Sequence, residues 1–149
     1  MTQTELRAAT HVGEHNKRVA ERLYRDVFER GDLDRADELV HPDCRDLHDP
    51  QDRRGPERVK EVASMLRAAF PDQHWDITRL LADGEHVAMC STWTGTHEGT
   101  FMGIPPTGKH VSVHHMYLFR ISDGQITEYA AVRDDLEMMR QLGIVPTRG

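Results

Sequence analysis

The chain has 149 residues, of which 38% are hydrophobic and 30% are charged, so it can bury one sizeable core but not two. Its 25 acidic and 19 basic residues give a net charge of −6 at neutral pH, which would repel phosphate backbones and anionic lipid. This composition excludes a multidomain machine and argues against nucleic acid as a partner. We expect a single domain over residues 1–149.

The cysteines and the N-terminal region indicate the cellular compartment of the protein. Cys44 and Cys90 lie far apart in the sequence, which favours neither a disulfide scaffold nor a cysteine zinc site. Charges are spread through the N-terminal region, and no apolar run approaches the ~18 residues that span a bilayer. We therefore expect a cytoplasmic protein that has no membrane partner.

The first part of the chain predicts helices. Residues 1–12 show no clear hydrophobic period and are expected to form a flexible lead-in. Apolar residues recur with helical spacing over 19–28 and over 33–40, with Gly31 between the two predicted helices. The polar segment 43–55 shows no period and is expected to be a loop.

A third helix and a set of strands follow. Pro56 suits the first turn of that helix, and Pro71 closes it. The Asp83-Gly84 and Asp123-Gly124 pairs supply the positive φ angles of tight hairpins, which predicts antiparallel pairing. Strand-like apolar runs cover residues 75–77, 87–93, 111–119 and 126–132.

The last predicted element is a helix that begins after Asp134 or Asp135, either of which can serve as its N-cap, and that ends at Gly143. Helices followed by antiparallel strands define an α+β domain. A strongly curved sheet with helices over its concave face would enclose a conical cavity, where a small molecule would bind.

Four motifs in this sequence carry a family resemblance. Gly55-Pro56 precedes a helix, and GTFMGIPPTGK (99–109), FRISDGQITEY (119–129) and RDDLEMMRQLG (133–143) follow in that order. The chain resembles the SnoaL-like polyketide cyclases, a branch of the nuclear-transport-factor-2-like superfamily. This resemblance implies a cone-shaped α+β barrel with N-terminal helices packed on a curved antiparallel sheet. It also implies a homodimer formed through the sheet and a cavity for an aromatic polyketide ligand.

The resemblance also implies a mechanism, from which this chain departs. In the cyclases an aspartate on the last strand and a histidine on its neighbour drive an aldol ring closure without metal or organic cofactor. Those positions correspond to Ala131 and Tyr117 here, and alanine cannot transfer a proton. We expect a cofactor-independent enzyme of secondary metabolism, cyclase-like or diverged, for example towards hydroxylation. The alternative is a non-catalytic protein that binds a small molecule.

Replacement groups follow from strand alternation. If Tyr117 and Ala131 face the cavity, side chains at every second position share that face. They are Val113, His115, Phe119, Thr127, Tyr129 and Arg133. His115 is then the candidate base, because an imidazole with a pKa of about 6.5 accepts a proton near neutral pH; the alternative is a structural hydrogen bond. Tyr117 and Tyr129 would donate to an enolate oxygen or simply pack. His114 must face the opposite side.

Two charged residues at the end of the last strand have two interpretations each. Asp134 is either a helix N-cap or, with its carboxylate turned into the cavity mouth, a catalytic acid or base. Arg133 either holds a substrate carboxylate or forms a surface ion pair with Asp43 or Asp46.

The remaining candidates line the expected pocket. The resemblance places Asp46 at a polar pocket position and Phe28 and Val62 at apolar ones. His48 lies in the same loop as Asp46, but no helical histidine pair supports a metal site there. Several methionines map to pocket or interface positions, with core filling as the alternative. They include Met65, Met89, Met102, Met116, Met138 and Met139.

Overall fold

A computed structural model of the protein describes residues 1–145. Four α-helices, one π-helical segment and five strands account for most of this length. In chain order they are α1 (Gln3–Arg22), the π-helical segment (Leu23–Glu29), α2 (Arg35–Leu39), β1 (Val40–Asp46), α3 (Pro56–Ala69), β2 (His74–Asp83), β3 (His86–Thr96), β4 (His110–Ser122), β5 (Gln125–Arg133) and α4 (Asp135–Gln141).

The five strands form one sheet in the order β1-β5-β4-β3-β2. The pairs β2-β3, β3-β4 and β4-β5 are antiparallel. The predicted hairpins turn at Gly84 (φ 58°) and at Asp123-Gly124 (φ 50° and 77°), as positive-φ residues require. The helices pack over one face of this sheet, so the predicted α+β fold is confirmed.

The core lies between the helices and the inner face of the sheet. The end of α1 and the π-helical segment contribute Val19, Leu23 and Val27, all of them buried. The strands contribute large aromatic side chains, among them Trp75 and Phe119, which are almost inaccessible to solvent. These layers fix the position of every side chain on the inner face.

The expected lead-in is wrong, because α1 begins at Gln3. The Thr2 hydroxyl accepts a hydrogen bond from the Glu5 backbone N–H (3.1 Å), and the Glu5 carboxylate accepts one from the Thr2 backbone N–H (2.6 Å). This capping box satisfies two N–H groups at the helix start. All side chains over residues 1–12 are exposed. A hydrophobic period is therefore absent although the segment is helical.

The expected loop over 43–55 is also wrong in part, because β1 runs to Asp46 and pairs in parallel with β5. The sheet is mixed rather than antiparallel. Apart from Val40 at its start, β1 buries a single residue, Cys44, and its register against β5 is irregular. A polar edge strand of this kind has no alternating apolar pattern by which the sequence could predict it.

The inner face of β4 and β5 follows the predicted alternation with one exception. The register shifts between Arg120 and Ile121, so that Ile121 pairs with Ile126 and Arg120 with Glu128. Thr127 is the extra residue of a β-bulge, and its hydroxyl donates to the Arg120 carbonyl (3.2 Å). The bulge removes Thr127 from the inner face, where alternation had placed it.

Candidate functional site

A cavity of about 350 Å³ lies between the helices and the inner face of the sheet. Its walls are mostly aromatic and aliphatic, with a few polar groups, as is typical of small-molecule sites. The aromatic members are Tyr24, Phe28, Trp75, Trp93, Phe101, Tyr117 and Tyr129. The ionisable members besides the tyrosines are Asp46, His48, Arg58, His115, Arg133 and Asp135.

The structure brings most of the predicted site residues together in this cavity. Those that line it are Phe28, Asp46, His48, Val62, His115, Tyr117, Tyr129, Ala131 and Arg133. Their location agrees with the sequence analysis, while their chemical roles stay predictions.

Asp134 does not take its predicted place at the cavity mouth. Its carboxylate accepts a hydrogen bond from the Glu137 backbone N–H (3.2 Å) and thereby caps α4. An N-cap side chain is held at the helix start because the first N–H groups lack partners within the helix. Asp135 lines the cavity instead of Asp134, and its carboxylate lies 3.6 Å from Arg133 Nε. This contact replaces the expected pairing of Arg133 with Asp43 or Asp46.

Three aromatic side chains form a hydrogen-bonded chain in the cavity wall. Trp75 Nε1 donates to Tyr117 Oη (2.9 Å), and Tyr117 Oη lies 2.7 Å from His115 Nδ1. An indole N–H can only donate, so the Tyr117 oxygen accepts from Trp75. The direction of the contact between Tyr117 and Nδ1 depends on the His115 tautomer, because a phenol oxygen can also accept a second hydrogen bond. The His115 ring also stacks on Trp93, with ring centroids 5.5 Å apart and an interplanar angle of 10°.

Burial determines the charge states of His115 and Tyr117. His115 is 6% exposed, and burial, together with the positive charge of Arg133, lowers the pKa of His115 to about 3. Burial likewise raises the pKa of Tyr117 to about 12, although the hydrogen bond from Trp75 opposes the shift. The expectation that His115 titrates near neutral pH is therefore wrong. At neutral pH both groups are uncharged, and the lowered pKa makes His115 a weaker base than an exposed imidazole.

A second polar group lies where β1 ends beside β5. Asp46 Oδ1 accepts a hydrogen bond from the His48 backbone N–H (3.0 Å), and Oδ2 lies 3.9 Å from Arg58 Nε. That Nε atom is buried and has no hydrogen-bond partner among the described residues. Tyr129 is the cross-strand partner of Asp46. Burial, reinforced by the Asp46 carboxylate, raises the pKa of Tyr129 well above its usual value.

Sequence reasoning missed Arg58, Trp75 and Trp93 as cavity residues. Arg58 precedes Val62 by four positions on α3, and residues four apart share a helix face. The prediction for Val62 therefore contained the signal for Arg58. Trp75 and Trp93 are directly paired across β2 and β3, but their shared face follows only once the strand register is known.

Some of the methionines lie at the cavity, and others lie in the core or on the outer face of the sheet. Met65, Met102 and Met138 line the cavity, where flexible thioethers suit contact with aromatic rings. Met89 is fully buried in the core, and Met116 is exposed on the outer face of the sheet.

Among residues 1–145, no three His, Cys, Asp or Glu side chains are placed to hold a metal ion together. Within that same stretch, no helix has both the length and the apolar character needed to cross a bilayer.

The family model of the SnoaL-like polyketide cyclases matches residues 18–142. The chain therefore belongs to the SnoaL-like polyketide cyclase family.

Individual relatives support this assignment. Nogalonic acid methyl ester cyclase of Streptomyces nogalater is 29% identical over 120 residues, which cover 78% of this chain and 90% of that protein. Aklanonic acid methyl ester cyclase DnrD of Streptomyces peucetius is 30% identical over 123 residues, which cover 79% and 84%.

Solved structures agree with the fold. A candidate polyketide cyclase from Acidithiobacillus ferrooxidans is 32% identical, with a TM-score of 0.76 over 87% of this chain and 94% of that one. AclR, a candidate hydroxylase from Streptomyces galilaeus, is 27% identical, with a TM-score of 0.76 over 90% and 84%.

Proposed function

We propose that this protein is a cofactor-independent enzyme of secondary metabolism that acts on an aromatic polyketide-type substrate. The reaction we assign to it is closure of a carbon ring through an enolate. One observation carries the proposal: the aromatic cavity is lined by a buried, neutral His115 whose Nδ1 lies 2.7 Å from the Tyr117 hydroxyl, which itself accepts from Trp75. We assign the ring proton to Nε2, which makes this imidazole a preorganised donor for an oxyanion.

The chemistry of ring closure suits the groups in this cavity. An intramolecular aldol closure is redox-neutral and requires proton transfers together with stabilisation of an enolate oxygen. In the tautomer that we assign to His115, Nδ1 accepts from the Tyr117 hydroxyl and the Nε2–H donates to the enolate oxygen. Tyr129 supplies a second phenol, which stays protonated because its pKa is raised.

The other cavity residues bind and orient the substrate. Phe28 and Val62 form apolar wall against which flat rings pack. His48 and Arg133 supply polar contacts to carbonyl or ester oxygens at the edge of that wall. Asp134 has no part in this scheme, since its carboxylate caps α4.

Ala131 is the observation that favours a second candidate, a non-catalytic binding protein. The side chain lines the cavity but cannot exchange a proton. In that case the cavity would retain the ligand without converting it.

The test uses aklanonic acid methyl ester and nogalonic acid methyl ester as probes with the purified protein. Ring closure is followed by mass-resolved chromatography, and solvent-deuterium uptake next to the ester carbonyl by NMR. We expect turnover by the wild type and a loss of at least about 100-fold in His115→Ala, the usual effect of removing an oxyanion donor. His114→Ala is the matched control, because the neighbouring imidazole lies on the outer face of β4.

Each result of this test selects one candidate. Binding of the probes without ring closure or deuterium uptake supports the binding protein. Turnover that survives His115→Ala contradicts the role given to that residue.

We also infer that the protein acts as a homodimer formed through the outer face of the sheet. Cross-strand neighbours there make two apolar rows. The first row consists of Leu81, Ala88, Leu118 and Ala130. The second row consists of Cys90, Met116 and Val132. Their four largest exposed members are 49% to 69% accessible, and a contiguous apolar patch of this kind marks an interaction surface.

Both cysteines are free thiols, which supports placing the protein in the reducing cytoplasm.

A further inference from the structure

The cavity lacks a carboxylate at position 131 but has one on the adjoining strand. β1 lies next to β5, and Asp46 is the register partner of Tyr129. Tyr129 and Ala131 are two residues apart, so their side chains share the inner face. Asp46 therefore stands one strand away from the position that Ala131 leaves without a proton-transferring group.

We propose that Asp46 is the catalytic residue that accepts the substrate proton in this cavity. The proposal rests on the function proposed above and names the base that this function requires. It places the base on β1, an edge strand, instead of on β5.

The contacts of Asp46 anchor one oxygen and leave the carboxylate facing the cavity. Oδ1 is occupied by the backbone N–H of His48 (3.0 Å). Oδ2 accepts no hydrogen bond from Arg58, whose Nε atom is 3.9 Å away and beyond hydrogen-bond range, while the Tyr129 phenol is a side-chain hydrogen-bond partner of the carboxylate. A carboxylate that is anchored at one oxygen and lines the cavity is oriented to take a proton.

Burial separates Asp46 from the other acidic groups nearby. The Asp46 side chain is 15% exposed, whereas Asp135, also at the cavity, is 59% exposed and lies beside Arg133. Asp49 is fully buried, but its carboxylate oxygens are taken by Arg53 and by two backbone N–H groups. Asp46 is thus the carboxylate that combines burial, cavity contact and an oxygen that no guanidinium holds.

Neighbouring groups are positioned to assist. The Arg58 guanidinium and the neutral Tyr129 phenol flank the Asp46 carboxylate. Arg58 Nε lies 3.9 Å from Oδ2, and Tyr129 can donate to the oxygen on which negative charge develops. Both act as positioning residues for Asp46 and for the substrate.

The proton-transfer steps balance without an oxidant or a reductant. Asp46 Oδ2 takes the proton from the carbon next to the ester carbonyl, and the C–H electron pair becomes the enolate, whose oxygen accepts from His115 Nε2–H. The enolate carbon then attacks a ketone carbon of the same molecule. The resulting alkoxide receives the proton back from Asp46, so substrate and product are isomers.

The experiment compares Asp46→Asn with Asp43→Asn, using aklanonic acid methyl ester as the probe. Asparagine keeps the side-chain shape and still accepts from the His48 N–H, so we expect Asp46→Asn to fold. Asp43 is an exposed residue of the same strand and serves as the matched control. We expect Asp46→Asn to lower both deuterium uptake and ring closure by about 100-fold or more. Probe binding should change by less than about threefold, and Asp43→Asn should match the wild type.

A second variant separates a proton acceptor from a structural role. In Asp46→Ala, added formate can occupy the space of the lost carboxylate, and we expect it to restore part of the deuterium uptake. Formate would not repair a loss that came from misfolding. Near-ultraviolet circular dichroism checks the fold of both variants.

The outcomes distinguish the two proposals. A wild type that binds the probe but neither exchanges deuterium nor closes the ring overturns the proposed function, and the role of Asp46 with it. A wild type that turns over while Asp46→Asn stays within threefold of it overturns the role of Asp46 alone. If Asp135→Asn loses turnover while Asp46→Asn retains it, the role of Asp46 alone is likewise overturned.

Discussion

At the scale of single residues, the surroundings of a side chain set its chemistry. His114 and His115 are adjacent on β4, yet His114 is exposed to solvent while His115 is buried, with 6% of its surface accessible. Burial lowers the pKa of His115 to about 3. The same imidazole that titrates near neutral pH in water is therefore neutral in the cavity.

This shift predicts a pH dependence of stability. The unfolded chain protonates His115 near the ordinary pKa of about 6.5, while the folded protein protonates it at about 3. Protons therefore bind preferentially to the unfolded state between these values. The contribution of His115 to stability is complete above the ordinary pKa and falls as the pH drops towards 3, by at most about 1.4 kcal/mol per pH unit.

Urea unfolding of the wild type and of His115→Gln between pH 7 and pH 4 measures this effect. Glutamine stays neutral over that range, so the difference in unfolding free energy between the two proteins isolates the histidine. We expect the wild type to lose stability relative to the variant as the pH falls. A difference that does not vary with pH would contradict the assigned protonation state.

At the scale of elements, the connection from β1 to α3 positions the polar side of the cavity. Asp46 ends β1, and α3 carries Arg58 and Val62. Gly55 lies just before α3 with φ 81° and ψ −170°. Its N–H donates to the Cys44 carbonyl (2.9 Å). This backbone conformation is essentially restricted to glycine.

Gly55→Ala should destabilise the protein more than Gly84→Ala does. A Cβ at position 55 would lie 2.5 Å from the Pro42 carbonyl oxygen, whereas one at position 84 would meet nothing within 4 Å. Gly84→Ala carries the conformational cost of positive φ, about 1–2 kcal/mol. Gly55→Ala carries the cost of a backbone region that is essentially restricted to glycine and adds a steric clash. The free energy of unfolding in urea gives the comparison. Equal losses in the two variants would contradict this prediction.

At the scale of the whole molecule, the two faces of the sheet have separate tasks. The inner face and the helices enclose the cavity, and the outer face presents the two apolar rows. Alternation along β4 separates these sets, because successive side chains point to opposite faces. Changes on one face should therefore leave the other largely intact.

Leu118→Glu should convert the proposed dimer to a monomer while leaving the cavity intact. A carboxylate in the apolar row would be buried without a partner at the interface. Sedimentation velocity measures the oligomeric state. Leu6→Glu on α1, which changes another exposed leucine, is the control and should leave the dimer unchanged. A wild type that sediments as a monomer, or a Leu118→Glu protein that stays dimeric, rules out this interface.

The sequence by itself determined the features that depend on local chemistry. The Asp123-Gly124 pair gave the last hairpin, because a tight turn requires positive φ. Alternation along β4 then placed His115 and Tyr117 on the inner face, and motif order supplied the family. The cavity residues on β4 and β5 follow from these facts together.

The tertiary structure alone decided what depends on contacts between distant segments. The parallel pairing of β1 with β5 brings Asp46 beside Tyr129, and no local pattern encodes it. The bulge at Thr127 and the cap formed by Asp134 choose between arrangements that the sequence permits equally. The pKa of His115 depends on how completely other elements bury it. Register, capping and burial are properties of the packed molecule, since each is set by which groups meet when the chain folds.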